Sequence, residues 1–152
     1  MGAAVAEGEG VDRVRALVSH YGVEDLVTVT PWLAEDERAT LLRASVGHIQ
    51  PALSDAIGLG ALEALACGIP VIGTRAGCLP EVVGTAGIIV EPRQPARMAS
   101  AIRTLWESGS VANRLAQVAS DRAEGVRRRW SDVATDTRAV YRDAATGIDT
   151  GA

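Results

Sequence analysis

The sequence lacks lysine and is poor in histidine and cysteine, two residue types that often bind metals. It has no lysine, two histidines and two cysteines among 152 residues, and its net charge is −4. A negative net charge argues against a broad nucleic-acid-binding face, so no nucleic-acid partner is expected. Cys67 and Cys78 form neither a CxxC pair nor a zinc pattern, and His20 and His48 lack Cys, Asp or Ser partners at telling spacing. We therefore predict no metal site and no cofactor, and interpret both histidines as structural.

The sequence also shows no pattern typical of a targeting or membrane-spanning segment. No apolar run approaches the roughly 20 residues that a membrane span needs. Residues 1–10 contain neither a basic n-region nor an apolar h-region. We predict a cytoplasmic protein with reduced thiols. The length is typical of one domain, which we place at residues 1–146, followed by a frayed tail at 147–152.

Short apolar runs alternate with longer stretches of helical periodicity, and glycine or proline separates most of them. Strands are predicted at 26–30, 45–50, 70–74 and 86–92, and helices at 11–21, 35–44, 58–67, from 79, and near 95–107, 110–128 and 131–145. This alternation predicts an α/β fold, a Rossmann-like parallel sheet with helices on both faces. Trp106 and Trp130 are expected to anchor the packing of the C-terminal helices.

Residues 51–63 join a predicted strand to a helix, at the sheet edge where parallel sheets bind ligands. Gly58 and Gly60 stand at the helix start, where backbone amides lack intrahelical partners and attract phosphate. Glu63 points back toward that start and could accept hydrogen bonds from a ribose diol, while Asp55 could accept them from a sugar. The pattern suits a nucleotide sugar. Spacing alone leaves open that Asp55 caps a turn and that Glu63 is a solvated helix residue.

The same segment resembles the donor-binding signature of family-4 retaining glycosyltransferases, also called glycosyl transferases group 1, which have the GT-B architecture. That signature has two acidic residues, with Phe-Gly-Leu after the first and Glu-Ala-x-Ala-x-Gly-x-Pro-Val-Ile at the second. The similar segments in this chain are Asp55, Ile57-Gly58-Leu59 and Glu63–Ile72, followed by Gly77–Gly84 and Ala86–Pro92. Trp130-Ser131 and Tyr141-Arg142 resemble the family's C-terminal helices.

The resemblance implies roles for individual residues. Glu63 would hold the donor ribose, and Asp55 would contact the transferred sugar and serve as the catalytic candidate. The backbone of Ile57, Gly58 and Leu59 would contact the diphosphate and sugar. Pro31 and Trp32, in the loop after strand 26–30, are candidates for the base side. The family's members do not generally need a bound metal to activate the donor.

The chain departs from the family pattern at several positions. Asp55 replaces the usual Glu, Ile57 the usual Phe, and Cys78 a Gly. The family's first donor-domain strand carries a Gly-Arg segment and a lysine that neutralise the diphosphate, and no matching segment is present. The N-terminal acceptor domain has no counterpart either. We therefore expect the C-terminal half of a GT-B protein, truncated at its N-terminus and lacking the first strand.

The resemblance implies a parent enzyme that transfers a hexose-type sugar from a UDP-, GDP- or ADP-linked donor to an acceptor hydroxyl with retention. This chain alone is expected to be inactive, and any association with a membrane surface would come only through the missing half. Two alternatives remain open. One is a non-catalytic nucleotide-binding or interaction module, a fragment or remnant. The other is half of a GT-B nucleotide-sugar epimerase.

Overall fold

A computed structural model describes residues 2–5, 9–125 and 129–148. Five strands alternate with the first four helices, and three further helices follow. The strands are β1 Gly2–Val5, β2 Val27–Thr30, β3 His48–Gln50, β4 Val71–Thr74 and β5 Gly87–Val90. The helices are α1 Glu9–His20, α2 Glu35–Arg43, α3 Leu59–Ala66, α4 Leu79–Val83, α5 Pro95–Glu107, α6 Gly109–Gly125 and α7 Trp130–Ile148.

All the strand pairs in the described residues are parallel. β1 pairs with β2, with Gly2 opposite Val27. β4 lies between β3 and β5, with Val71 opposite both His48 and Gly87. Parallel neighbours need crossover connections, and the intervening helices supply them. The predicted α/β class with a parallel sheet is confirmed.

The core is centred on β4, whose four residues are all buried. One apolar cluster includes Val71 with Ala64 and Leu79, from α3 and α4. A second cluster includes Ile72 with Ala101 and Leu105, from α5. Because successive strand residues face opposite sides of a sheet, these two clusters place helices on both faces of β4. A continuous apolar strand is what such double burial requires.

Two strand expectations need correction. The strand predicted at 45–50 begins only at His48, because Ser45 continues the last turn of α2: its amide donates to Leu42 O at 2.9 Å and its hydroxyl to Leu41 O at 2.7 Å. β1 was not predicted at all. Its residues are glycine, alanine and valine, which carry a weak strand signal.

The C-terminal helices differ from the expectation in their packing. Trp106 is 67% exposed and Trp130 is 87% exposed, so neither is the packing anchor that was predicted. In α5 the inward positions are taken by Ala101 and Leu105, and Trp106 lies one residue, or about 100°, away from the latter. The predicted helix at 110–128 extends through Gly125, and residues 126–128 lie outside the described ranges. Helix α7 continues to Ile148, into the predicted tail, and 149–152 are also outside.

Candidate functional site

The first turn of α3 is built around Gly58. This residue is buried and has φ +71°, a left-handed conformation that glycine adopts without strain. A side chain there would meet Cys78 Sγ and Leu79 Cδ2, both at 3.3 Å. The first hydrogen bond of the helix runs from Leu62 N to Gly58 O at 2.9 Å. The amides of residues 59–61 precede that bond and so have no acceptor within the helix.

Asp55 binds the loop that leads into this turn. Its Oδ1 accepts from Gly58 N at 2.6 Å and from Ile57 N at 3.2 Å. Its Oδ2 accepts a short hydrogen bond from Gln50 Nε2. The turn-capping alternative for Asp55 is therefore realised in the structure. Two of the amides assigned to the ligand by resemblance already have an acceptor, the chain's own carboxylate.

Glu63 is held by an arginine that the sequence did not single out. Arg38 Nε and Nη2 each lie 2.8 Å from one oxygen of Glu63. The two side chains are only 25% and 29% exposed. A two-point guanidinium–carboxylate contact of this kind fixes the orientation of both groups. Glu63 is thus not the solvated helix residue that spacing alone allowed.

Arg38 also links Glu63 to the loop after β2. Its guanidinium carbon lies 5.5 Å from the ring centre of Trp32, and its Nη1 donates to Leu33 O at 3.4 Å. A guanidinium over an indole face is an attractive cation–π arrangement. The predicted base-side residue Trp32 and the predicted ribose acceptor Glu63 therefore contact the same side chain. Pro31, the other base-side candidate, is exposed beside Trp32.

A second polar pair lies beneath the α3 turn, on strand β3. His48 Nε2 and Gln50 Oε1 are 3.1 Å apart, and both residues are partly buried. Burial lowers the pKa of His48 below its usual 6.5, although the bond to Gln50 and the nearby Glu63 charge oppose that shift. A Cβ on Gly60 would lie 3.0 Å from Gln50 Oε1 and 3.3 Å from His48 Nε2. Helix α3 therefore packs directly on this pair.

Gly77 fixes the other side of the Asp55 loop. It has φ +52°, and any Cβ there would overlap the carbonyl oxygen of Asp55. The next residue, Cys78, donates its amide to that same oxygen at 3.2 Å. Thr74 donates its hydroxyl to Ala52 O in a short hydrogen bond. The chain after β3 is therefore joined to the end of β4 and its loop by hydrogen bonds to two backbone carbonyl oxygens, those of Ala52 and Asp55.

Together these residues form a polar surface at the carboxyl ends of the strands. It carries an aromatic face, a carboxylate–guanidinium pair, the amides at the start of α3 and a second carboxylate. Ile57 and Leu59 are exposed beside it, at 67% and 62%. No cluster of three or more potential metal ligands occurs among the described residues. Nor does any described helix combine the length and apolar character needed to cross a membrane.

Sequence reasoning missed Arg38 and Gln50. Arg38 lies 25 residues from its partner, and no local pattern marks an arginine on an exposed, charged helix. Gln50 carried a weak signal, because it stands two residues from His48 and therefore on the same face of β3.

Comparison with known families finds a match to the family described as glycosyl transferases group 1, over residues 4–108. The chain is also 37% identical over 135 residues to a D-inositol 3-phosphate glycosyltransferase from Acidothermus cellulolyticus. That alignment covers 88% of this chain and 30% of the relative. The chain thus spans about a third of the length of the curated relatives that it matches.

Three solved structures illustrate the likeness of the fold. Sucrose-phosphate synthase from Thermosynechococcus elongatus superposes with a TM-score of 0.79 and 25% identity, over 95% of this chain and 38% of that one. The C-terminal domain of a group 1 glycosyl transferase from Francisella tularensis gives 0.71 and 25%, over 82% and 69%. The pneumococcal O-GlcNAc transferase solved with UDP and GlcNAc gives 0.69 and 16%, over 81% and 26%.

Proposed function

The chain belongs to the glycosyl transferases group 1 family, and on that premise we propose that it is the donor-binding half of a retaining glycosyltransferase. The donor is a nucleoside-diphosphate sugar, and the parent reaction moves a hexose-type sugar to an acceptor hydroxyl. The acceptor-binding side is contributed by a part that this chain does not contain. We place the reaction in the cytoplasm.

The observation that carries this proposal is the contact of Arg38 with both Trp32 and Glu63. It brings an aromatic face, suited to stacking a base, next to a carboxylate suited to a ribose diol. The carboxylate lies one turn inside α3, so a ribose held there has its diphosphate near the start of the same helix. Base, ribose and diphosphate would then follow one continuous surface.

The hydrogen bonds of the Asp55 loop support one choice of amides for the proposed diphosphate. Ile57 N and Gly58 N donate to Asp55, whereas the amides of residues 59–61 have no acceptor within α3. We assign the diphosphate to this first turn, where the helix dipole also favours negative charge. Asp55 then lies beside the diphosphate, on the side of the sugar. Proteins of similar fold that were solved with UDP support a nucleotide ligand.

The test is a titration of the purified chain with UDP-, GDP- and ADP-sugars, followed by amide NMR shifts and calorimetry. Saturable shifts at Gly58, Leu59 and Glu63 with one nucleotide are expected, and they would identify the base. Glu63→Gln keeps the size of the side chain but removes its charge. It is expected to weaken nucleotide-sugar binding about tenfold or more, the loss of one charge-assisted hydrogen bond.

Another glutamate that pairs with an arginine offers a matched control. Glu91 forms a 2.7 Å ion pair with Arg75, between the residues that follow β5 and β4, and both side chains are more than half exposed. Glu91→Gln also breaks an arginine–glutamate pair and changes the net charge equally, so it should leave the affinity unchanged. Equal weakening by both substitutions, or saturable shifts that avoid α3, would contradict the assignment of the site.

A second candidate function has one observation in its favour. The carboxylate of Asp55, one methylene shorter than the family's Glu, is engaged by Gln50 and by two backbone amides. A chain with its catalytic candidate held in this way would suit a nucleotide-binding module without transfer activity. Asp55→Asn distinguishes the two. In a transferase half it weakens the sugar-bearing nucleotide more than the free nucleotide, and in a plain nucleotide module it weakens both equally, through the loop that Asp55 holds.

A further inference from the structure

A continuous line of hydrogen bonds runs from strand β3 to the α3 turn. It begins at His48 Nε2, which lies 3.1 Å from Gln50 Oε1. Gln50 Nε2 then bonds Asp55 Oδ2, and Asp55 Oδ1 accepts from Gly58 N at 2.6 Å. Three side chains therefore connect strand β3, whose residues His48 and Gln50 are partly buried, to the backbone of the turn.

The chemistry of the groups fixes the direction of every bond. Asp55 receives two backbone amides and a side-chain amide, so it acts as an acceptor on both oxygens. Gln50 must then present its NH₂ group to Asp55 and its carbonyl to His48. That carbonyl needs a donor, so the proton of the neutral imidazole resides on Nε2. With the proton on Nδ1 instead, the amide would be driven to turn its oxygen toward the carboxylate.

We propose that His48 and Gln50 are positioning residues for the sugar end of the donor site, acting through Asp55. His48 selects the orientation of the Gln50 amide, and that amide holds Asp55 over the loop amides. We call the hydrogen-bonded series His48–Gln50–Asp55 the relay. Its role toward a sugar rests on the proposed function, while the relay itself is a property of the free protein.

The packing around the relay explains how it keeps one geometry. A Cβ on Gly60 would crowd Gln50 Oε1 at 3.0 Å and His48 Nε2 at 3.3 Å, so glycine at this position lets α3 pack closely on both side chains. His48 is buried enough for its pKa to fall below the usual value. The charged groups that face it are Glu63, paired with Arg38, and Asp55 at the far end of Gln50. Burial strengthens hydrogen bonds between polar groups. Removing His48 or Gln50 should therefore also weaken the bond between Asp55 and Gly58 N.

The first experiment uses the free chain. Ring-nitrogen NMR is expected to find neutral His48 in the Nε2–H form. Gln50→Leu removes the donor to Asp55 and should speed hydrogen exchange of the Gly58 amide about tenfold or more. His48→Leu should speed that exchange in the presence of Gln50 but add nothing once Gln50→Leu is present, because the two residues act in series. His48→Gln restores a side-chain donor and should return exchange to within about twofold of the parent chain.

The control is Ile49→Ala, a substitution on the opposite face of the same strand, which should leave Gly58 exchange unchanged. The Nδ1–H tautomer, strictly additive effects of His48→Leu and Gln50→Leu, or equal acceleration by Ile49→Ala would each overturn the relay. Calorimetry with UDP and UDP-glucose then tests its meaning. Gln50→Leu should weaken UDP-glucose several-fold more than UDP. If the parent chain binds no nucleotide sugar, the proposed function fails while the exchange and tautomer results still decide the relay.

Discussion

Replacing Gly77 with alanine is expected to lower the free energy of unfolding by about 2–4 kcal/mol. The residue has φ +52°, where an L side chain costs about 1–2 kcal/mol. The added Cβ would also overlap Asp55 O, so the loops after β3 and β4 must separate. That separation breaks the bond from Cys78 N to the same oxygen, worth about 1 kcal/mol.

The measurement is urea unfolding, followed by circular dichroism, with the midpoint compared at constant slope. Gly22→Ala is the matched control, because Gly22 has φ +62° but nothing lies within 4 Å of a Cβ placed there. Gly22→Ala should lose only the cost of the left-handed backbone conformation, about 1–2 kcal/mol. On a thermal scan each kcal/mol corresponds to roughly 2–4 °C for a chain of this size.

The decisive quantity is the difference between the stability losses of Gly77→Ala and Gly22→Ala. If Gly77→Ala is no more destabilising than Gly22→Ala, the close approach of the two loops is wrong and the backbone conformation explains everything. A larger loss at Gly77, accompanied by amide shifts at Ile57 and Gly58, is expected instead, because the carbonyl that must move belongs to Asp55.

Two further predictions concern His48 and the apolar core. Burial lowers the folded-state pKa of His48 below 6.5, so on acidification the unfolded chain binds a proton before the folded chain does. As the pH falls through about 6.5, the free energy of unfolding should therefore decrease, by at most about 1.4 kcal/mol per pH unit. It should level off once the pH is below the folded-state pKa of His48. His48→Gln should remove this slope and His20→Gln should keep it, as measured by urea unfolding from pH 5 to 8. Leu79 is fully buried under Gly58, and Leu79→Ala should cost about 2–4 kcal/mol in the same assay, whereas Leu53→Ala, at an exposed position, should cost less than about 0.5 kcal/mol.

The parts of the fold that could be predicted are those with strong local signals. β4 is a short apolar run between a proline and a glycine-rich loop, and its predicted range 70–74 differs from the observed one by a single residue. Helix α4 begins with Leu79 and Pro80, as proline at a first helical turn predicts. β1 was missed because its conformation depends on pairing with β2, which composition does not encode.

The candidate site also has a part that the sequence predicts and a part that it does not. The Gly58 turn and the carboxylates at Asp55 and Glu63 were visible as spacing along the chain. Their partners were not, because Arg38 approaches Glu63 from another helix and Gln50 approaches Asp55 from the strand below. Whether a carboxylate is solvated, paired or used as a cap depends on such distant groups. The roles that resemblance gives to Ile57, Leu59, Pro31 and Trp32 stay predictions.

The uneven distribution of apolar burial bears on how the chain opens. The buried hydrophobic residues of the described ranges all lie between Ala61 and Ala119. Among the described residues, the segment that ends at Arg43 contacts that core through Leu42, which packs against it, and through the Arg38–Glu63 pair. A ligand that touched Trp32 and α3 at once would therefore tie the loosely buried segment to the well-buried one. The concentration of that ligand would then set how often the loosely buried segment separates from the well-buried one.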